Sequence, residues 1–331
     1  MKMSCVGIVA CALVIGAPAG SPAGATSQAT AIAPGSRVVL DAHNAYPDTG
    51  RFADRLDRAL ATGIPVAIEQ DLVWLPATGA RTARSVVSHG APFDGTEPSL
   101  KQYFFERIRP IVESALRDRN TGQWPLITLN LDLKTNEPEH HQALWALLGE
   151  YEAWLTTAIR TADGSTAAPL DVKPVLVLTG SNDAQEESFH TRVPVGQKLR
   201  LFGAVQIRPA SAGSPALRSI TFPRATNYRR WWNAPWSVVE ARGQREAGEW
   251  TADDAERLKT LVTDAHAAGL WVRMWTLNGS DDVTRAANGW SAGYNFGSAE
   301  AARLRWQAAI DARVDYVATD QYELFAQLRR P

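Results

Sequence analysis

Three short stretches of this chain carry side chains that could do chemistry together: Asp41 and His43 in "DAHNAY", Glu69 and Asp71 in "IEQDLVW", and Asn130, Asp132 and Lys134 in "LITLNLDLK". In each stretch the polar residues stand two apart, and residues two apart on a strand share a face. In the third, Leu129, Leu131 and Leu133 form the apolar face, which leaves Asn130, Asp132 and Lys134 together on the other. Glu69, Asp71 and Asp132 would then converge from neighbouring strands, where mutual repulsion makes full ionisation unfavourable without a cation. An all-oxygen donor set points to one divalent ion, Mg²⁺ or Ca²⁺, rather than to zinc. His89, in "VVSHGAP", follows a short extended run soon after the second strand and is expected in a loop over the same end. Two imidazoles beside a carboxylate-bound metal suit proton transfer at neutral pH. Lys134 would add positive charge where a phosphoryl transition state spreads negative charge. The chemistry implied is phosphodiester cleavage, with His43 as base and His89 as acid.

The elements that must position these residues follow from the hydrophobic pattern. Runs of strand length at Val38 to Leu40, Pro65 to Leu72, Leu126 to Leu133, Val175 to Leu178, Leu201 to Val205, Ser219 to Phe222, Trp271 to Leu277 and Tyr316 to Ala318 alternate with helical stretches. Phe52, Leu56 and Leu60 recur at helical spacing with Gly63 placed to end that helix; further helices are expected over Gln102 to Arg117, His141 to Arg160, Ala252 to Ala268 and Ala299 to Ala312. A β-then-α rhythm repeated about eight times predicts an α/β fold, a single-domain (β/α)₈ TIM barrel over residues 36–331. No glycine-rich nucleotide loop follows the first strand to favour a doubly wound sheet. In such a barrel the site lies at the C-terminal ends of the strands, where the polar residues above fall.

The 331 residues are 45% hydrophobic and 21% charged with a formal net charge of -1, the profile of an ordinary globular protein without the basic face a nucleic-acid partner requires. The first residues differ: Lys2, an apolar run from Val6 to Ile15, then Ala17-Pro18-Ala19 and Ala23-Gly24-Ala25, the pattern of a secretory signal peptide over 1–25 followed by a flexible leader over 26–35. Export to the periplasm or the extracellular space is expected. Cys5 and Cys11 both lie in this segment, so cleavage would leave no thiol for disulfides or catalysis; a lipoprotein reading at Cys11 competes, with a very short apolar run before it. No later segment has the run of about 18 apolar residues that spans a bilayer.

"AHNAY", "IEQDLVW", "VVSHGAPFDG" and "LDLK" together resemble the phospholipase-C-like phosphodiesterase superfamily, which includes glycerophosphodiester phosphodiesterases and the sphingomyelinase D type of phospholipase D. The resemblance implies that His43 and His89 are the two catalytic histidines, that Glu69 and Asp71 are the E-x-D metal pair, and that Asp132 is the third metal ligand with Lys134 on the phosphate. "MWTLN" (Met274 to Asn278) and "VDYVATD" (Val314 to Asp320) resemble the last two strands of the glycerophosphodiesterase branch. That branch usually has His-Arg-Gly and then Pro-Glu-Asn after the first strand, where this chain has His43-Asn44-Ala45 and no such Glu. The toxin branch's disulfide-bearing loop is also missing. The implied substrate is a small-molecule or lipid phosphodiester, with no obligate protein partner; peripheral membrane contact is left open, since an aromatic rim would serve a soluble head group equally well.

Taken singly, each residue has a structural reading: a lone histidine at a strand end is more often a hydrogen-bonded core or surface residue, and an E-x-D pair is often a solvated strand end. The joint pattern of five residues on matching faces favours function. His140, His141, His190 and His266 read as helix-start, loop and helix-face residues. The cluster "NYRRWWNAPW" (Tyr228, Trp231, Trp232, Trp236) reads either as packing on the barrel or as an aromatic rim that grips a substrate, with Arg229 and Arg230 supplying the phosphate contact that Asn44 lacks. Trp275, at the end of a late strand, is a further substrate-binding candidate beside Asn44 and Lys134, parity leaving it open whether Trp275 or Thr276 faces inward. The competing functions are a metal-independent glycoside hydrolase, a non-catalytic barrel that binds a phosphorylated ligand, and a metal-free phospholipase C that uses arginine in place of the cation.

Overall fold

The computed structural model describes residues 32–48, 50–79, 81–207, 220–240, 248–275 and 277–328; the expected signal peptide and most of the leader lie outside them. The strands are β1 (Val39–Ala42), β2 (Val66–Leu75), β3 (Arg84–Val87), β4 (Ile127–Leu133), β5 (Thr157–Ile159), β6 (Leu170–Asp171), β7 (Val175–Thr179), β8 (Lys198–Leu199), β9 (Phe202–Ala204), β10 (Arg229–Pro235), β11 (Trp271–Trp275) and β12 (Tyr316–Thr319). The α-helices are α1 (Arg55–Ala61), α2 (Glu106–Asp118), α3 (Pro138–Glu150), α4 (Asp183–Glu186), α5 (Ala252–Ala267), α6 (Asp282–Ala287), α7 (Ala299–Asp311) and α8 (Tyr322–Leu328).

Eight strands pair in parallel in the order β1-β2-β4-β7-β9-β10-β11-β12, and β12 pairs back onto β1, which closes the sheet into the predicted barrel. Closure explains the composition of the strands: β2 is buried through its first eight positions because a central parallel strand is covered by helices outside and side chains inside. β2 runs past the barrel and pairs antiparallel with β3, a hairpin that turns the chain back over the strand ends. A small antiparallel sheet, β6-β5-β8, stands apart from the barrel. The helices begin on local signals, including Pro138 in the first turn of α3 and a capping box between Thr251 and Asp254 at α5. Gly63, at φ +105°, follows the C-terminus of α1, a conformation that favours glycine.

Two expectations are corrected. No strand forms among the described residues near 219–222; Ser219 itself lies outside them, and the sixth barrel strand is β10 inside the aromatic cluster. Trp231 faces the interior and donates from Nε1 to Thr179 O (2.9 Å), while Trp232 packs edge-on against Phe222 outside. A strand buried on both faces lacks the alternation that periodicity reads. The helix expected to run to Arg160 stops at Glu150, because Tyr151, Trp154 and Leu155 turn into the core before β5. Tyr228, Trp231, Trp232 and Trp236 are all buried, so the cluster is packing and not a rim.

Candidate active site at the barrel mouth

The C-terminal ends of the strands enclose a cavity of about 320 Å³ lined by His43, Asn44, Glu69, Asp71, His89, Asn130, Leu131, Asp132, Lys134, Gly180, Asn233, Arg273 and Trp275. The structure therefore brings His43, Asn44, Glu69, Asp71, His89, Asp132, Lys134 and Trp275 to one place. A larger cavity of about 740 Å³, along the flank of α3 near Trp145 and Arg192, shares no residue with it.

The carboxylate cluster follows from strand register. Asp71 of β2 stands directly across from Asp132 of β4, and Glu69 across from Asn130, so the inward faces of the two strands coincide. One oxygen each from Glu69, Asp71 and Asp132 fall within 4.8 Å of one another. Asp71 is 1% exposed and neither of its oxygens accepts a hydrogen bond; Lys134 Nζ lies 3.2 Å from Oδ2 but donates to Asp132 Oδ2 at 2.6 Å. Burial, and then repulsion from Glu69, hold the Asp71 carboxyl well above its ordinary range, while burial of Lys134 is outweighed by Asp71 and Asp132, which raise the ammonium. A buried carboxylate that accepts no hydrogen bond and has only the Lys134 ammonium beside it, next to two more carboxylates, fits a hard divalent cation held by Glu69, Asp71 and Asp132.

His43 sits one residue past β1, its backbone N–H donating to Thr319 O at 3.2 Å and its carbonyl accepting from Tyr322 Oη at 2.7 Å. Its Nε2 lies 3.5 Å from Glu69 Oε2 and its Nδ1 lies 3.4 Å from Asp320 Oδ1. Burial would lower the imidazole, but Glu69 and Asp320 overcome it and lift His43 to about 9. The two carboxylates thus favour the charged, proton-donating ring in the cation-free protein. Asn44 follows in the left-handed region (φ +55°), which asparagine tolerates; its N–H donates to Glu69 Oε2 (3.0 Å) and its Nδ2 to Asp320 Oδ1 (2.9 Å), 2.7 Å from His43 Nδ1. Asn44 therefore ties the histidine, its orienting aspartate and the glutamate together.

His89 reaches the mouth through the β2–β3 hairpin. The N–H of Ser88 donates to Asp71 O (3.0 Å), which sets His89 on the rim with its ring 5.9 Å from that of Tyr46. Partial burial and Lys134 keep it below the usual imidazole value. Trp275 faces inward, its ring stacked 6.5 Å from His43 at 20°; Thr276 lies outside the described residues. Arg229 and Arg230 do not line the cavity: Arg229 pairs with Asp183 and Glu186, and Arg230 donates to Asn227 O and Ala168 O.

Two participants were not read from the sequence. Asp320, at the end of β12, orients His43 and is itself held by Asn278 Nδ2 and by its own N–H on Asn278 Oδ1 (2.9 Å). Arg273, 2% exposed on β11, donates from Nε to Asp41, from Nη2 to Glu69 Oε1 (2.9 Å) and from Nη1 to Asn233 Oδ1 (3.0 Å). These partners outweigh burial and raise its already basic guanidinium further. Asp41 lies inside the barrel, on the same face as His43 as parity predicts. With Glu69 at about 2, where His43, Arg273 and the Asn44 N–H overcome the effect of burial, the glutamate is a settled anion.

No protein-family model matches the chain, and no curated protein does. Among solved structures it is similar to a calcium-dependent phosphoinositol-specific phospholipase C from a Gram-negative bacterium, Pseudomonas sp, at 15% identity and a TM-score of 0.46, over 89% of this chain and 93% of that one.

Proposed function

We propose that this chain is an exported, cation-assisted phosphodiesterase that hydrolyses or cyclises a glycerophosphodiester or the head-group phosphodiester of a phospholipid. The observation that carries the reading is Asp71: a buried carboxylate that accepts no hydrogen bond, with an oxygen within 4.8 Å of those of two other carboxylates, paired with Lys134 at 3.2 Å and beside two imidazoles at the mouth of a barrel. Glu69, Asp71 and Asp132 hold one Mg²⁺ or Ca²⁺. When bound, the cation neutralises charge on the phosphoryl oxygens.

The chain's own groups do the rest. Lys134 reaches over the carboxylates into the cavity, where it meets a phosphoryl oxygen. His43 and His89 each handle one of the two proton transfers: one imidazole, starting neutral, accepts the proton of the attacking hydroxyl or water, and the other, starting protonated, delivers one to the leaving oxygen. Asp320 and Asn44 keep the His43 ring from rotating. Trp275 closes the wall beside His43 and helps exclude water.

One rival reading has a specific observation behind it: Arg273 already stands on Glu69, as an arginine acting in place of a cation would. Release of head group from glycerophosphodiesters, lysophospholipids and sphingomyelin, with and without EDTA, separates the readings. Activity abolished by EDTA and restored by Mg²⁺ or Ca²⁺ supports the proposal; activity on a phosphodiester that ignores EDTA favours Arg273 as the cation. Ligand binding without turnover leaves a binding module, and EDTA-insensitive hydrolysis of sugars leaves a glycosidase.

A further inference from the structure

Arg273 is an unusual residue to find at the centre of a barrel strand. The run Trp271-Val272-Arg273-Met274-Trp275 is otherwise apolar, and a buried guanidinium is retained only where anions hold it. Here the anions are Asp41, which it meets through Nε, and Glu69, whose Oε1 accepts from Nη2 at 2.9 Å. The same Glu69 offers an oxygen to the cluster with Asp71 and Asp132. Asp41 is outside that cluster and does not line the cavity; its second oxygen, Oδ1, is buried without a hydrogen-bond partner. The two halves of the arrangement are therefore connected: one carboxylate shared between a fixed cation and a cation site, and a second carboxylate outside that site, which meets the fixed cation and accepts from Asn130 Nδ2 (3.5 Å).

We propose that Arg273 is a resident counter-cation that sets how tightly the mouth holds a divalent ion, acting through Glu69 and offset by Asp41. This rests on the cation reading above. Arg273 is a positioning residue in this role. It fixes Glu69 in the geometry that faces Asp71 and Asp132, and its charge opposes a second cation nearby. Asp41 offsets that charge, so the balance between Arg273 and Asp41 determines the affinity of the site without either touching the ion.

The test is calorimetric titration of Mg²⁺ and of Ca²⁺ into the whole chain, with Kd as the readout beside the thermal midpoint. In Asp41→Asn the shape is kept and the Arg273 charge is no longer offset, so Kd should weaken by about tenfold or more, as a unit charge near a divalent ion in a partly buried site requires. Arg273→Lys keeps the charge but cannot reach three partners at once; it should lower the thermal midpoint while Kd stays within about threefold. A purely structural Arg273–Asp41 pair would lower the midpoint in both variants and leave both affinities unchanged. Wild-type binding that Asp71→Asn abolishes, together with an Asp41→Asn Kd within about twofold of wild type, overturns the inference and leaves the cation reading intact. Absence of any Mg²⁺ or Ca²⁺ binding to the wild type overturns the cation reading and this inference with it.

Discussion

Asp71→Asn should make the cation-free protein more stable while destroying its cation site. Asp71 is 1% exposed, its two oxygens accept no hydrogen bond, Glu69 and Asp132 crowd it with like charge, and Lys134, 3.2 Å away, offsets less than burial and Glu69 impose. A buried polar group left unsatisfied costs about 1–3 kcal/mol, and the asparagine amide can donate to either neighbouring carboxylate. An expected gain is about 1–2 kcal/mol in EDTA, or a rise of about 2–4 °C in thermal midpoint for a chain of this size. The pH dependence follows from the raised carboxyl. Below the unfolded pKa both states carry the proton and there is no penalty; as pH rises above it, the unfolded aspartate ionises while the folded one resists, so the wild type alone loses stability. The advantage of the variant should therefore vanish near pH 4 and appear by pH 7. With Mg²⁺ or Ca²⁺ at about a hundred times Kd the wild type should gain about 2.7 kcal/mol, and the variant nothing. Calorimetric scans in EDTA and in each cation check both halves. A variant that melts below wild type in EDTA, or that gains equally from cation, would refute the reasoning.

His140 is buried between Ser85 Oγ (2.9 Å from Nε2) and Thr135 Oγ1 (3.0 Å from Nδ1), and burial lowers it to about 4. The native state then binds fewer protons than the unfolded chain between about pH 4 and 6.5, so up to about 3 kcal/mol of stability, full above that window, is lost as pH falls through it; urea denaturation at pH 7 and pH 4.5 should show this slope flattened in His140→Gln. His43→Ala should lower kcat by about 10²–10⁴, and Asp320→Asn should lower kcat at unchanged KM, since Asp320 orients the ring without lining the cavity; an unaffected kcat in the first would remove His43 from the chemistry, and in the second would remove Asp320 as its orienting group. The Arg229→Ala, Arg230→Ala double variant should keep its KM and lose thermal stability, because these arginines pair with Asp183, Glu186 and backbone carbonyls away from the mouth; a raised KM would return them to the site.

Parity within single strands determined much of this site. Glu69 with Asp71, Asn130 with Asp132, and Asp41 with His43 each share a face because side chains alternate on a strand, a rule that operates within a few residues. The β-then-α rhythm determined the barrel for the same reason, since each unit buries its own apolar face locally. The fate of Trp231 and Trp232 was not legible in this way, because β10 is buried on both sides and its order of side chains carries no period. Arg273 and Asp320 carried only weak signals, a single charge in the apolar run "WVRMW" and an aspartate ending "VATD", and neither names a partner.

Those partners lie far off in the chain: Asp41 and Glu69 for Arg273, His43 and Asn44 for Asp320. They meet only because β12 pairs with β1 and closes the circle. Sequence by itself determined which residue types stand at the strand ends and which way they face. Tertiary structure alone decided which charges offset one another, because Coulomb interactions depend on distance through space, and barrel closure sets those distances between residues more than 200 positions apart.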